Sequence, residues 1–368
     1  MTPLERVGTV LQGGIPDRVP SAPLICGAAR RVYGVTYEEW AQDGELMAKS
    51  MVQAQELIGF DGVLGLVDLS VEAADLGQKM VYPVEDTPHP DYDDPCIKTP
   101  DDYFKIERID PTKGPRMKEM LTYMDIICNE KAATVPIMGF VYGPLGILSM
   151  MRGAENVFRD CYKNKEAVIK AEEIITEVLV DYIKAMCKTG VHAVVLDTLF
   201  ASQTIMRKEM WKEIEGPHTK VLADTIRECG AMVMVHNCGN GIYFDVQIEM
   251  MDPIAISFAY PPDDCKDMKE AKVNSLYQAT AAGRHESKHD QIRDIQRDID
   301  KAKEQALLDG KLTQAINHHI SNEPYSPTVD LEVMHAVRTC RCHCLDCYQT
   351  PVIARHFYQP PCGTQMYC

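Results

Sequence analysis

Two side chains near the middle of the chain are spaced for metal chemistry. The apolar run at 231–235 closes on His236-Asn237-Cys238-Gly239, so a short buried strand stops where a His and a Cys stand two residues apart. Residues i and i+2 of a strand point to one face. The imidazole and the thiol therefore converge at the strand's C-terminal end, and Gly239, Asn240 and Gly241 supply a turn tight enough to leave both reachable. Imidazole nitrogen and thiolate sulfur suit tetrahedral zinc, and together they make half a site. The same spacing suits a buried thiol beside a hydrogen-bonded histidine, so the company this strand keeps has to decide.

That company repeats one pattern. Thr2-Pro3-Leu4-Glu5 is a capping box that opens an N-terminal amphipathic helix, and 19–26, apolar with Pro20 and Pro23, reads as a first strand. Thr36 and Glu39 form a second capping box, starting a long helix whose stripe is Trp40, Met47, Met51, Ala54, Leu57 and Ile58 and which stops at Gly59. A second strand, 60–68, finishes on Asp68-Leu69-Ser70-Val71-Glu72. Residues 88–111, rich in Pro and Asp, form an excursion; 117–129 is helical; 135–141 is a strand ending at Tyr142-Gly143-Pro144, with a short helix behind it. Periodicity predicts a helix over 164–188 closed by Gly190, a strand over 192–196 ending on Asp197, and a helix over 206–229 with a break at Gly216-Pro217. After the His236 strand, 254–259 is another strand, closed by Tyr260.

Alternating strands and helices in one chain predict a parallel sheet, and this many units predict an α/β fold closed as a (β/α)8 TIM barrel with an N-terminal helical extension, spanning 1–338. A doubly wound open sheet is the alternative. Asp68, Tyr142, Asp197, His236, Cys238 and Tyr260 all fall where a strand ends, and in a barrel that rim is the active-site face. Asp68 and Glu72 suit a helix cap or a solvated loop equally well.

Length and charge narrow the function. A chain of 368 residues fits one barrel, and 38 basic against 54 acidic residues, a net charge of -16, argue against binding to nucleic acid or an anionic membrane surface. No apolar stretch is long enough for a membrane helix, and MTPLERVGTV has no basic signal region, so the expected location is cytoplasmic. Of 14 cysteines, eight from Cys26 to Cys265 are scattered as reduced core thiols would be, and six crowd into 340–368.

Pro16-Asp17-Arg18-Val19-Pro20, Asp68-Leu69-Ser70-Val71-Glu72-Ala73, residues 139–153 and above all Val235-His236-Asn237-Cys238-Gly239-Asn240 resemble the uroporphyrinogen decarboxylase superfamily. Within it they resemble the corrinoid-dependent methyltransferase branch, relatives of methylcobamide:coenzyme M methyltransferases. The resemblance is continuous from the N-terminus to a little short of Lys272. It implies that His236 and Cys238 are zinc ligands, completed by a further Cys near the last strand. A thiol with a pKa of about 8.5 is only about 3% thiolate at pH 7, whereas zinc deprotonates it. The implied reaction moves a methyl group between a corrinoid held by a partner protein and a small acceptor, a thiol in this branch, with Asp68, Tyr142, Asp197 and Tyr260 positioning acceptor or corrinoid. Decarboxylases of the family carry an Arg-x-Ala-Gly-Arg loop; here Cys26-Gly27-Ala28-Ala29-Arg30-Arg31 keeps arginines without that pattern. Decarboxylation of uroporphyrinogen is therefore the second reading, and a non-catalytic binding barrel the third.

Beyond this the pattern changes. Residues 272–290 are polar and poorly patterned, a helix returns over 291–308, and 311–321, where the third ligand is expected, holds no Cys. Three explanations compete: His318 or His319 replaces the cysteine, the barrel binds no metal, or a reading-frame disturbance altered 272–290 and the tail. Residues 339–368 lack an apolar period and read as a Cys-rich tail rather than a domain, although Cys340, Cys342, His343, Cys344 and Cys347 offer metal-binding groups.

Overall fold

Local signals set several of the helix ends. The computed structural model describes residues 1–12, 14–258, 262, 263, 265 and 266. In chain order the elements are α1 (Pro3–Leu11), a 3-10 segment (Cys26–Val32), α2 (Tyr37–Trp40), α3 (Gly44–Ile58), β1 (Val63–Gly65), α4 (Val71–Asp75), β2 (Met80–Val81) and β3 (His89–Pro90). A second 3-10 segment (Pro100–Lys105) leads to α5 (Pro115–Lys131), β4 (Ile137–Tyr142), α6 (Pro144–Arg152), α7 (Ala154–Lys163) and α8 (Lys165–Lys188). Then come β5 (Ala193–Asp197), α9 (Lys208–Ile214), α10 (Gly216–Glu228), β6 (Met232–Asn237), α11 (Phe244–Met251) and β7 (Ala255–Phe258). Both predicted capping boxes form, Thr2 with Glu5 and Thr36 with Glu39. Gly59 closes α3 with φ 74° and Gly190 follows α8 with φ 94°, backbone that a side chain would strain.

Five strands form one parallel sheet in the order β1-β4-β5-β6-β7, and β2 and β3 make a separate antiparallel pair. The order follows the chain without reversal. A doubly wound sheet has to reverse at a switch point, so the alternative is set aside: this is a singly wound wall, as a barrel requires. Residues 272–290 and 311–321, the helix expected over 291–308 and the tail from 339 lie outside the described residues. No described helix is long and apolar enough to cross a membrane.

Four expectations need correction. Residues 19–26 form no strand: Pro20 and Pro23 have no N–H for a ladder, and the chain instead exchanges single bonds with Asp61, whose carboxylate takes the Ser21 N–H at 2.8 Å and whose own N–H meets the Ser21 carbonyl. The 60–68 strand contracts to β1, which pairs only with β4 among the described residues. The long helix from 37 divides, because Asp43 turns the chain and caps α3 by accepting the Leu46 N–H at 2.9 Å. Of the eight cysteines before 266, only Cys128 and Cys161 are buried and Cys229 is exposed. The expected break at Gly216-Pro217 is real, with Pro217 in the first turn of α10.

The Pro-Asp-Arg motif near the N-terminus has a structural task. Asp61, fully buried, accepts from Arg6 Nη1 at 2.6 Å and from Arg18 Nη2 at 2.7 Å, while Arg6 Nε also donates to Asp17 at 2.6 Å. Two guanidiniums and an amide satisfy one buried carboxylate, which pins α1 to the segment that enters β1.

Candidate active site at the strand ends

Register partners in a parallel sheet share a face. Tyr142 of β4 pairs with Asp197 of β5, Asp197 with His236 of β6, and His236 with Ser257 of β7. The four therefore form one row across four strands near their C-terminal ends. The alternate positions face the helices: a Cβ on Gly139 would lie 2.0 Å from Met186 Sδ of α8, and Val141 and its neighbours Leu196 and Val235 are fully buried. Tyr142, Asp197, His236 and Ser257 thus belong to the opposite face, the one that lines a barrel's interior.

His236 is a neutral, hydrogen-bonded imidazole. Its Nδ1 shares a hydrogen bond with Ser257 Oγ at 3.1 Å, and burial pushes its pKa down to about 4. With Nδ1 engaged, Nε2 is the ring nitrogen left to meet a metal, and neutral imidazole is the form that binds one. Cys238 follows immediately after β6 as a half-buried reduced thiol. Between them Asn237 turns the other way. Its Nδ2 donates to the Thr198 carbonyl at 2.6 Å and its Oδ1 accepts the Gly239 N–H at 2.9 Å, which locks the turn carrying Cys238. Gly239 is required there, because a Cβ would fall 2.4 Å from Ser202 Oγ.

A set of buried carboxyls surrounds the row. Burial, then the charges of Glu215 and Glu72, push Asp197 up to about 8, and its Oδ1 has no hydrogen-bond partner among the described residues. Burial pushes Glu215 and Glu72 each up to about 7. Glu215 accepts the Leu145 N–H at 3.0 Å and the Trp211 indole N–H at 2.6 Å, so it anchors the start of α6. Glu72 accepts the Tyr142 N–H at 3.2 Å. The Tyr142 phenol is held well above its ordinary pKa by burial, with Asp197, Cys238 and Glu215 adding to the effect. Its ring packs on Gly146 of α6, where a Cβ would lie 2.4 Å from ring carbons.

Asp68 stands outside this row. Its carboxylate is fully buried, forms an ion pair with Arg116 and accepts from the N–H and hydroxyl of Ser70. Arg116 also donates to the Tyr82 hydroxyl at 3.2 Å. Sequence reading missed Ser257, Arg116 and Glu215. Only Glu215 had a local signal, its place directly before the Gly216-Pro217 break. Tyr260, His318 and His319 lie outside the described residues.

Of the expected metal donors, His236 and Cys238 lie among the described residues, where no cluster of three His, Cys, Asp or Glu is poised around a common point. A neutral imidazole and a thiol in the turn beyond it fit zinc as a donor pair and require a further ligand. Arg30, in the segment where decarboxylases carry their arginine loop, is turned inward: its guanidinium donates to the Val35 carbonyl at 2.8 Å and to Glu85 at 2.6 Å and lies over the Tyr37 ring.

The family model for uroporphyrinogen decarboxylase matches residues 2–287. A methylated-thiol–coenzyme M methyltransferase of Methanosarcina mazei is 24% identical over 243 residues, 65% of this chain and 64% of the relative. The chain therefore spans just under two thirds of that relative's length. A methylcobamide:CoM methyltransferase MtbA of Methanosarcina acetivorans is 22% identical over 295 residues, 72% of this chain and 86% of the relative. Among solved structures, a methyltransferase from Methanosarcina mazei superposes with a TM-score of 0.63 at 20% identity, covering 76% of this chain and 81% of that one, a likeness of fold.

Proposed function

The chain belongs to the uroporphyrinogen decarboxylase family, and from that premise we propose that it is a zinc-dependent enzyme moving a methyl group between a corrinoid protein and a small thiol acceptor. The observation that carries this reading is His236 at the end of β6, neutral and oriented by Ser257, with Cys238 in the turn that follows. The names of the curated relatives, methyltransferases acting on methylated thiols or methylcobamide and coenzyme M, support the same chemistry.

In this reading His236 and Cys238 hold zinc, and His318 or His319 supplies the third ligand. Bound zinc would lower the pKa of a thiol acceptor so that it is a thiolate at neutral pH. The protein's own residues do the rest. Ser257 fixes the imidazole, and Asp197 and Tyr142 border the space in which acceptor and corrinoid would meet. Asp68 acts at one remove, through Arg116. Buried carboxyls with raised pKa values leave this wall less negative than its composition suggests, which suits the approach of a thiolate. A cytoplasmic location belongs to the same reading.

Decarboxylation of uroporphyrinogen is the second reading, and Arg30 weighs against it, since its guanidinium is turned to the Val35 carbonyl and the Glu85 carboxylate. The test is metal content together with methyl transfer. Purified full-length protein should carry near-stoichiometric zinc, lose it in His236→Ala and Cys238→Ala, and demethylate methylcobalamin in the presence of a thiol, read from the cobalt absorbance. A zinc-free, correctly folded protein that removes carboxylates from uroporphyrinogen would overturn the proposal, and one that is zinc-free and does neither would be a binding barrel.

A further inference from the structure

His236 and Cys238 are held by different means. His236 lies within β6 and its imidazole meets Ser257 of β7, so the sheet itself fixes it. β6 ends at Asn237, and Cys238 stands one residue beyond the strand. Its place is set instead by three fully buried side chains: Asn237, Thr198 directly after β5, and Gln247 of α11. Gln247 Nε2 donates to the Tyr243 carbonyl at 2.9 Å, and its Oε1 accepts the Thr198 hydroxyl at 2.7 Å. The Thr198 N–H donates to the His236 carbonyl at 3.0 Å, and the Thr198 carbonyl accepts Asn237 Nδ2 at 2.6 Å. Asn237 Nδ2 also donates to the Ala201 carbonyl at 3.3 Å, while Asn237 Oδ1 accepts the Gly239 N–H at 2.9 Å. The residue that carries the thiol is thus bracketed on both sides.

Each amide in this chain has one possible orientation. A carbonyl can only accept and a backbone N–H can only donate, so Gln247 aims its nitrogen at Tyr243 and its oxygen at Thr198, and Asn237 aims its oxygen at Gly239. The Thr198 hydroxyl must then be the donor. We propose that Gln247, acting through Thr198 and Asn237, is a positioning residue for Cys238 that places the sulfur where it and the His236 imidazole can share zinc; this rests on the zinc reading of the pair. Without the Thr198 hydroxyl, Gln247 Oε1 is buried with no donor, so the amide or residue 198 has to move. The Thr198 carbonyl moves with it and carries Asn237, whose side chain sets the Cys238 turn. A zinc–sulfur bond of about 2.3 Å leaves little room for such a displacement.

The test compares full-length Thr198→Val, Thr198→Ser and Gln247→Met with wild type. Thr198→Val keeps the shape of the side chain and removes its hydroxyl, whereas Thr198→Ser keeps the hydroxyl. Zinc affinity, measured by competition with a chromophoric chelator, should fall about tenfold in Thr198→Val and Gln247→Met and stay within about twofold of wild type in Thr198→Ser. With cobalt(II) in place of zinc, thiolate-to-cobalt absorption should weaken or shift in the first two variants and not in the third. Asp61→Asn, which disturbs the buried ion pairs before β1, controls for a general loss of stability. A second measurement needs no metal: in excess chelator, the rate at which iodoacetamide modifies Cys238, read by peptide mass spectrometry, should rise severalfold in Thr198→Val and Gln247→Met. Affinities and alkylation rates like those of wild type in both variants would overturn the proposal, as would losses in Asp61→Asn as large as in Thr198→Val. Wild-type protein that binds no zinc would remove the zinc reading alone, and the alkylation rates would then decide whether Gln247 positions Cys238.

Discussion

Removing the Ser257 hydroxyl tests the site without touching a proposed ligand. Ser257 Oγ stands 3.1 Å from His236 Nδ1, and Ser257→Ala deletes that partner from a ring already in a desolvated setting. A neutral hydrogen bond of this kind contributes about 1 kcal/mol, and one polarised by a metal on the far nitrogen roughly 1.5–3 kcal/mol. At about 1.4 kcal/mol per factor of ten, zinc affinity should fall roughly tenfold to a hundredfold, the range found when outer partners of metal-bound histidines are removed. The assay is competition for zinc against a chromophoric chelator at pH 7.5, with Ser257→Thr retaining a hydroxyl and Cys238→Ser as the severe reference. Melting curves in excess chelator control for a folding defect. Affinity within twofold of wild type for Ser257→Ala, while Cys238→Ser loses zinc, would refute the idea that this hydroxyl prepares His236; so would equal losses in the Ala and Thr variants.

Other perturbations probe the rest of the argument. Asp61→Asn leaves Arg6 and Arg18 short of their shared buried counter-charge and should cost about 3–5 kcal/mol in urea unfolding, with no change in zinc affinity per folded molecule. Asp197 has its pKa raised from 3.8 to about 8, so the folded state holds a proton that the unfolded state releases above about pH 4. Its contribution is present at low pH and is lost as pH rises through about 8; Asp197→Asn should flatten the fall in Tm between pH 5.5 and 8.5, and an unchanged slope would contradict the burial argument. Gly239→Ala places a Cβ 2.4 Å from Ser202 Oγ, so it should displace the Cys238 turn and abolish zinc binding at a stability cost of about 1–3 kcal/mol. For the third ligand, His318→Ala and His319→Ala should differ: neighbouring residues of a strand face opposite ways, so one should weaken zinc by an order of magnitude or more and the other should not.

Much of the scaffold was legible because its signals are local. A Thr directly before a helix and a Glu three residues after that Thr satisfy free amides wherever the helix sits, so Thr2 and Thr36 announced α1 and α2. Gly59, Gly190 and the Gly216-Pro217 break act through φ and a missing N–H, again without reference to distant chain. Strand ends at Tyr142, Asp197 and His236 could be read from where apolar runs stop. Partners were not legible. That His236 meets Ser257, that Asp68 is consumed by Arg116, and that Asp197 shares buried space with Glu215 depend on register between parallel strands joined by long helices. Register of that kind is decided by how helices such as α8 pack over Gly139, a contact between residues far apart in the chain. The same holds for residues 19–26, whose composition suits a strand until two prolines and a buried carboxylate compete for their bonding. The sequence by itself determined the winding and the residue types at the strand ends; only the tertiary structure decided which of those side chains face one another, because parallel pairing is made across distances that local chemistry does not span.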